Sequence, residues 1–76
     1  METIAREIQR DLVRVYQQIA IEYEEHGQSE MSLDFFEKCL EMAHRVNDTD
    51  KEAECYQQIA NIYERSGQMN NAIEYL

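Results

Sequence analysis

Proline is absent from the sequence, and only two of its 76 residues are glycine. Because proline ends helices and glycine weakens them, a chain with so little of either can form long helices. The same scarcity excludes collagen-like and low-complexity classes. No apolar run approaches the roughly 18 residues that span a bilayer, and the opening METIAREIQR lacks a signal peptide's apolar segment. We therefore expect a mostly helical, cytoplasmic protein without membrane insertion.

Basic residues are also scarce. Seven lysines and arginines stand against sixteen aspartates and glutamates, which gives a formal net charge of −9. A field of that sign repels nucleic acid and anionic lipid headgroups. Arg6, Arg10 and Arg14 form a row at i,i+4 spacing, but Glu7 and Asp11 are interleaved with it and can pair locally. We interpret the row as a solvated helix face and expect no nucleic-acid partner.

Residues that catalyse reactions or bind metals are few. Cys39 and Cys55 are expected to be reduced thiols, because the sequence shows no secretory signal. His44 follows Cys39 by five residues, but no CxxC or HxxxH spacing converges on an ion. His26 lies at a predicted turn, and no nucleophile has both a base and a third group to orient it. We predict no catalytic residue, no metal site, no cofactor and no enzymatic activity.

The pentapeptide YQQIA occurs twice, at residues 16–20 and 56–60. At this offset of 40, residues 16–36 and 56–76 also share Tyr23/Tyr63, Glu24/Glu64, Gly27/Gly67 and Gln28/Gln68, nine identities in all. Differing pairs such as Leu33/Ile73 keep their size, as expected when each position faces a fixed environment. One structural unit has therefore been duplicated.

Apolar residues recur in each unit at helical spacing. The first stripe steps by three or four residues and comprises Ile4, Ile8, Leu12, Val15, Ile19 and Tyr23. After Gly27, a residue type suited to the left-handed end of a helix, a second stripe comprises Ser32, Phe35, Phe36, Cys39, Leu40, Ala43 and Val46. A third begins after Asn47 and comprises Ala53, Tyr56, Ile59, Ala60 and Tyr63. Each pair of stripes predicts a helical hairpin.

The pattern predicts an all-α chain of antiparallel hairpins, an α-solenoid of about 1.75 repeats. The first hairpin occupies residues 1–46, with helices over 2–26 and 29–46; the second occupies 47–76, with helices over 50–66 and 68–76. Residues 1–10 could instead end a preceding helix, but no turn residue interrupts them, which favours one long helix. Ser29 and Thr49 are predicted helix caps. Because the last helix is short, we expect a fragment of a longer array.

The duplicated unit resembles the tetratricopeptide repeat family. Its pattern is a large residue, a Leu/Gly-type pair, an aromatic, a glycine at the turn, and later small and aromatic positions. The first unit matches at Tyr16, Ile19, Ala20, Tyr23, Gly27, Ser32, Phe36 and Cys39, and the second at Tyr56, Ile59, Ala60, Tyr63, Gly67, Ala72 and Leu76. The resemblance covers residues 11–76. Small residues such as Ala20 and Ser32 allow the two helices of a hairpin to approach closely.

The resemblance implies a protein-binding scaffold in which the first helix of each repeat lines a concave groove. The groove positions that it implies are Gln17, Ile21, Glu24, Gln57, Asn61 and Glu64. Amides at these positions can bind a peptide backbone, and the carboxylates favour a basic or neutral segment. Of the lysine and asparagine positions in chaperone-type carboxylate clamps, only Asn61 matches, so the sequence does not favour such a clamp.

The period of 40 is longer than the family's common 34 residues. It resembles the subgroup found in spindle-orientation and polarity adaptors and in ciliary proteins, which implies a link to the cytoskeleton or a cilium. Three functions follow as hypotheses: an adaptor that binds a peptide or helix, a structural part of a cytoskeletal or ciliary assembly, and a regulatory domain attached to an enzyme or transcription factor. Apolar stripes uncovered at the ends predict self-association or stacking on further repeats.

Overall fold

A computed structural model describes residues 2–67 of the chain. It contains three helices: α1 over Glu2–Glu25, α2 over Ser29–Arg45 and α3 over Thr49–Arg65. No strand occurs in this part of the chain. The all-α, helical-hairpin fold class predicted from the apolar spacing is confirmed. The helix predicted over 68–76 lies outside the described residues, so the division into two hairpins stays a prediction.

The helices follow one another as antiparallel neighbours. Contacts between α1 and α2 run in opposite directions along the chain, since Ala20 lies by Ser32 and Val13 lies by Cys39. The α2–α3 pair behaves in the same way, with Cys39 next to Cys55. This order places α1 and α3 side by side and parallel, with fewer contacts between them than either makes with α2.

The same backbone turn ends the helices. Gly27, Asn47 and Gly67 each lie two residues beyond the end of a helix and have positive φ angles of 74°, 58° and 80°. At the first turn, the Gly27 and Gln28 amides donate to the carbonyls of Glu24 and Tyr23 at 3.1 and 2.9 Å. These two bonds form a Schellman motif, which satisfies carbonyls at the helix end. The predicted matching bends at Gly27 and Gly67 are present, and Asn47 forms a third.

The helix caps differ from the sequence prediction. Ser29 is the first residue of α2, and its N-cap is Gln28, which makes no side-chain capping bond. Thr49 is likewise the first residue of α3, and the cap is Asp48, whose Oδ1 accepts from the Lys51 amide at 3.1 Å. Both predicted caps are wrong by one position. The left-handed turn residue precedes each cap directly and so sets where the next helix begins.

Two buried clusters fill the space between the helices. The first comprises Val13, Cys39, Ala43, Val46 and Cys55, and the second comprises Ala20, Phe36, Ile59 and Ile62. Each cluster draws on all three helices. Burying an aliphatic or aromatic side chain of this size contributes about 1.5–3 kcal/mol, so the clusters hold α3 against the α1–α2 pair.

The apolar stripe predicted for α1 is mostly not the face that is buried. Ile4, Ile8 and Val15 are exposed, whereas Val13 and Ala20 enter the clusters. At 3.6 residues per turn, Val15 lies about 200° around the helix from Val13. These three residues of the stripe therefore lie outside the core, because the buried residues of α1 lie on another side of the helix.

Aromatic side chains join α1 to α2 through Phe35. Tyr23 stacks on the Phe35 ring with centroids 5.7 Å apart, and Tyr16 lies tilted against it at 6.1 Å. Lys38 Nζ lies 5.1 Å from the ring centroid, a cation–π contact. The tyrosines at the two repeat positions thus contact Phe35, while the adjacent Phe36 is buried in the second cluster.

Candidate partner-binding surface

The predicted groove residues of α1 face α3. Gln17, Ile21 and Glu24 follow one another at spacings of four and three residues and therefore share one side of the helix. All three are partly buried. Ile21 packs against the second cluster, and the two polar side chains bond to residues of α3. This side of α1 is the contact that joins the first helices of the two units.

Gln17 is the centre of the polar contact between α1 and α3. Its Nε2 donates to Glu54 Oε2 at 2.9 Å and to Gln58 Oε1 at 3.3 Å, while its Oε1 accepts from Lys51 Nζ at 2.8 Å. Lys51 Nζ also donates to Glu54 Oε2 at 3.1 Å. The hydrogen bond from Gln17, followed by that from Lys51, lowers the pKa of Glu54 below its ordinary value.

A second polar contact joins α1 and α3 near their C-terminal ends. The Arg65 guanidinium forms an ion pair with the Glu24 carboxylate. Both groups line a small open pocket together with Gly27, Ser29, Ile62 and Ser66. Because Glu24 is paired within the chain, its charge is partly neutralised before any partner approaches.

The predicted groove residues of α3 are placed differently. Gln57, Asn61 and Glu64, the repeat equivalents of the three on α1, are all exposed. They share one face of α3 by the same spacing, and we call this set the polar face of α3. The structure therefore brings Gln17, Ile21 and Glu24 together with α3, but it does not join all six residues into one open groove.

Four α3 residues that contact α1 are not among the predicted groove positions. These residues are Lys51, Glu54, Gln58 and Arg65, which hold the polar side chains of α1. Their spacing of three, four and seven residues marks one side of a helix. This polar row is a detectable signal in the sequence, but the repeat resemblance, on which the groove prediction rests, does not include it.

The positions that carry the repeat pattern have distinct environments. Ala20, Ser32, Phe36, Cys39, Ile59 and Ala60 are buried; Tyr16, Ile19, Tyr23 and Tyr63 are partly buried. Tyr56 is exposed. Gly27 and Gly67 occupy the left-handed turns. Ala72 and Leu76 lie outside the described residues.

An exposed apolar surface runs along the side of α1 that faces away from the clusters. It comprises Ile4, Ile8 and Val15, which are 58%, 55% and 48% exposed, and we call it the outer face of α1. The duplication offers a direct comparison, because Val15 corresponds to Cys55 at the offset of 40. Cys55 is 0% exposed, since α2 packs against that side of α3.

The two thiols lie together in the first cluster. Cys55 Sγ donates to Cys39 Sγ at 3.0 Å, and Cys39 Sγ donates to the Val13 carbonyl at 3.3 Å. The hydrogen bond from Cys55 lowers the pKa of Cys39, while donating that same bond raises the pKa of Cys55. Within residues 2–67, no three histidine, cysteine, aspartate or glutamate side chains are grouped so that they could hold a metal ion.

Successive helices are antiparallel, and the first helices of the two units, α1 and α3, lie side by side. This arrangement defines a helical-repeat protein, a class that presents extended surfaces to other polypeptides. A profile of the tetratricopeptide repeat family matches residues 11–76. The chain belongs to the tetratricopeptide repeat family, as its sequence pattern indicated. Repeats of this family are typically non-catalytic modules of protein–protein interaction.

A curated relative carries the same family name. Tetratricopeptide repeat protein 29 of Trypanosoma brucei brucei is 33% identical over 64 residues, which cover 84% of this chain and 13% of the relative's length. No solved structure matches the chain at a significant level. Over the described residues, no helix combines the length and the apolar character needed to cross a bilayer.

Proposed function

We propose that the chain is a non-enzymatic interaction module that binds a peptide or helix of another protein through the exposed faces of its first helices, α1 and α3. The observation that carries this proposal is the contrast between Val15 and Cys55. These residues occupy the same position in the two units, yet one is 48% exposed and the other is 0% exposed.

The packing of α2 on α3 supports a helical partner for the outer face of α1. Cys55 lies in the first cluster beside Cys39 and Ala43 of α2, and Ile59 lies in the second beside Phe36. A helix that packed on α1 as α2 packs on α3 would cover Val15 and the partly buried Ile19. Burying an aliphatic side chain contributes about 1.5–3 kcal/mol, so the outer face of α1 favours an amphipathic helix with small apolar residues at its point of closest approach.

The polar face of α3 is a second candidate contact surface, separate from the outer face of α1, which lies on the side of α1 away from α3. Gln57 and Asn61 are exposed amides that can exchange hydrogen bonds with a peptide backbone. Glu64 adds a carboxylate to a chain of net charge −9. A basic or neutral segment therefore fits this face better than an acidic one.

A capture experiment with charge reversal tests the proposal. Glu64→Lys reverses a charge on the polar face of α3, and Glu37→Lys makes the same change at an exposed position of α2. Glu24 is unsuitable, because its reversal would also break the ion pair with Arg65. We expect Glu64→Lys, and independently Val15→Glu, to lose partners that the wild-type chain and Glu37→Lys retain. Recovery of the same partners at equal salt sensitivity by all four proteins would rule out these faces.

A second candidate function is a structural part of a cytoskeletal or ciliary assembly. The 40-residue spacing of the duplicated unit favours it, because that period resembles repeats of such assemblies. In this case the outer face of α1 is covered by a neighbouring repeat. Fractionation distinguishes the two candidates, since a structural component stays in the detergent-insoluble fraction, whereas a cytoplasmic adaptor is extracted.

A further inference from the structure

The proposed binding function makes no use of the two thiols of the chain. Cys39 is on α2 and Cys55 is on α3, and they are the only two cysteines in the sequence. Their side chains are fully buried, and the Sγ atoms are 3.0 Å apart. The remaining members of their cluster are the apolar Val13, Ala43 and Val46. Two thiols in contact are thus enclosed between two helices.

The arrangement suits a covalent bond between the sulfurs. A disulfide has an S–S distance of about 2.05 Å, so the sulfurs need to approach by only about 1 Å. The buried members of the cluster are apolar or thiols, and the charges of Lys51, Glu54 and Asp48 act on Cys39 from outside it. The turn at Asn47 brings α3 back along α2, and residue 55 therefore returns to residue 39 after 16 positions.

We propose that Cys39 and Cys55 form an oxidation site at which a hydroperoxide converts the two thiols to a disulfide that joins α2 to α3. The Cys39 thiolate attacks the peroxide, an S–O bond forms as the O–O bond breaks, and the leaving hydroxide takes up the proton released by the Cys39 thiol, which gives a sulfenic acid and one water. The Cys55 sulfur then attacks the Cys39 sulfur, the S–S bond forms as the S–O bond breaks, and the leaving hydroxide takes the Cys55 thiol proton to give a second water. The thiols lose two electrons in total, and the peroxide gains them.

Cys39 is the first nucleophile in this sequence. Its pKa is lowered by the hydrogen bond from Cys55, and the thiolate is the reactive form of a cysteine. Cys55 is the resolving thiol and is already in contact with it. Because both sulfurs are buried, peroxide reaches Cys39 only through a local opening of the surrounding cluster, and the rate of oxidation reports that opening.

The test uses the 76-residue chain, reduced and then exposed to hydrogen peroxide. We expect a product that is lighter by two hydrogen atoms, resists alkylation and yields a Cys39–Cys55 peptide pair under non-reducing digestion. A cross-link that closes a loop of this size restricts the unfolded chain. The melting temperature should therefore rise by roughly 10 °C and return after treatment with dithiothreitol.

Single and double alanine variants are the controls. Cys39→Ala and Cys55→Ala leave one thiol each, and the double variant leaves none; none of them should show the rise in melting temperature. Helicity measured by circular dichroism establishes whether each variant is folded. If a variant does not fold, the oxidation of the wild-type chain still tests the proposal. Disulfide-linked dimers as the main product, oxidation of the wild type only in urea, or a melting temperature lowered by oxidation would each overturn the proposal.

Discussion

Ala20 lies in a direct contact between α1 and α2. It is fully buried, and its carbonyl accepts a hydrogen bond from the buried Ser32 hydroxyl at 2.8 Å. This bond satisfies the hydrogen-bonding requirement of the buried Ser32 hydroxyl. Because both residues are buried, a longer side chain at either position would be overpacked. The repeat pattern has small residues here, which allow the ridges of one helix to sit in the grooves of the other.

Replacing Ala20 with leucine should therefore destabilise the chain. Added methylene groups in a packed core force rotamers and backbone to shift, at a cost of about 1–3 kcal/mol. Ala5→Leu is the matched control, since Ala5 is exposed on the same helix, and its effect should stay within about 0.5 kcal/mol. Urea unfolding measures both. Equal unfolding midpoints for the two variants would show that the Ala20 contact is loose.

Position 27 favours glycine because of its left-handed backbone conformation, not because a side chain would lack space. Its φ is 74°, and a Cβ atom added there would meet nothing within 4 Å. We expect Gly27→Ala to destabilise the chain by about 1 kcal/mol, because residues with a Cβ disfavour this region. Asn47 already holds the equivalent position at a φ of 58°, so Asn47→Gly should change the free energy of unfolding by less than about 0.5 kcal/mol. Thermal melts compare them, and a cost at Asn47 equal to that at Gly27 would contradict this account.

At the scale of elements, a few polar contacts supplement the apolar clusters between α1 and α3. Gln17 makes three of them, whereas its repeat equivalent Gln57 is exposed. We expect Gln17→Ala to destabilise the chain by about 1 kcal/mol, because it removes hydrogen bonds and leaves Lys51 and Gln58 without this partner. Gln57→Ala should change stability by less than about 0.5 kcal/mol. Unfolding in urea measures the difference, and equal effects would mean that the Gln17 contacts add nothing.

The same contact should depend on pH through Glu54. Because Gln17 and Lys51 hold its folded-state pKa below the ordinary value, the ionised carboxylate stabilises the fold above about pH 4.3. This contribution is lost as the pH falls through the lowered pKa, where the carboxylate takes up a proton. The wild type should exceed Glu54→Gln in stability by a few tenths of a kcal/mol at pH 7, since the group is exposed.

Measurements at pH 7, 5 and 3 follow the decline of this difference. Glu37→Gln removes an exposed carboxylate from α2 and reports the general effect of one surface charge. A gap between wild type and Glu54→Gln that persists unchanged at pH 3 would show that ionisation of Glu54 has no part in the contact.

For the molecule as a whole, α1 is much longer than its partners. It has 24 residues against 17 in α2 and in α3, and residues 3–8 are all exposed. The outer face of α1 therefore presents isoleucine and valine side chains to water. We infer that this apolar surface is a contact with another polypeptide.

We expect the isolated chain to self-associate through this face. Ile8→Glu should weaken the association several-fold by placing a charge in the apolar contact. Ala5→Glu changes a neighbouring exposed residue on the same helix and should have little effect. Sedimentation velocity over a range of concentrations measures both. A wild-type chain that sediments as a compact monomer and melts in one sharp transition would contradict this expectation.

Helical spacing, the duplicated pentapeptide and the two glycines are enough to identify the fold class and the family from the sequence. Spacing of apolar residues is a local property, so α1, α2 and α3 can be recognised from neighbouring residues alone. The loop at Asn47 is predicted from the sequence, but its left-handed conformation is not, because asparagine adopts this conformation less often than glycine does. The sequence also does not single out Phe35 as the residue that stacks on Tyr16 and Tyr23, because adjacent Phe36 fits the repeat pattern.

The sequence by itself determines that a helical unit is duplicated, since identical side chains at an offset of 40 need similar surroundings. Which side of each helix those surroundings occupy is settled only when three helices pack together. The buried contacts of α2 and α3 with α1 are made at Val13 and Ala20, while Ile4, Ile8 and Val15 of the more apolar stripe stay exposed. Gln17 is partly buried because α3 lies beside it, whereas Gln57 is exposed, although both residues belong to the same pentapeptide YQQIA.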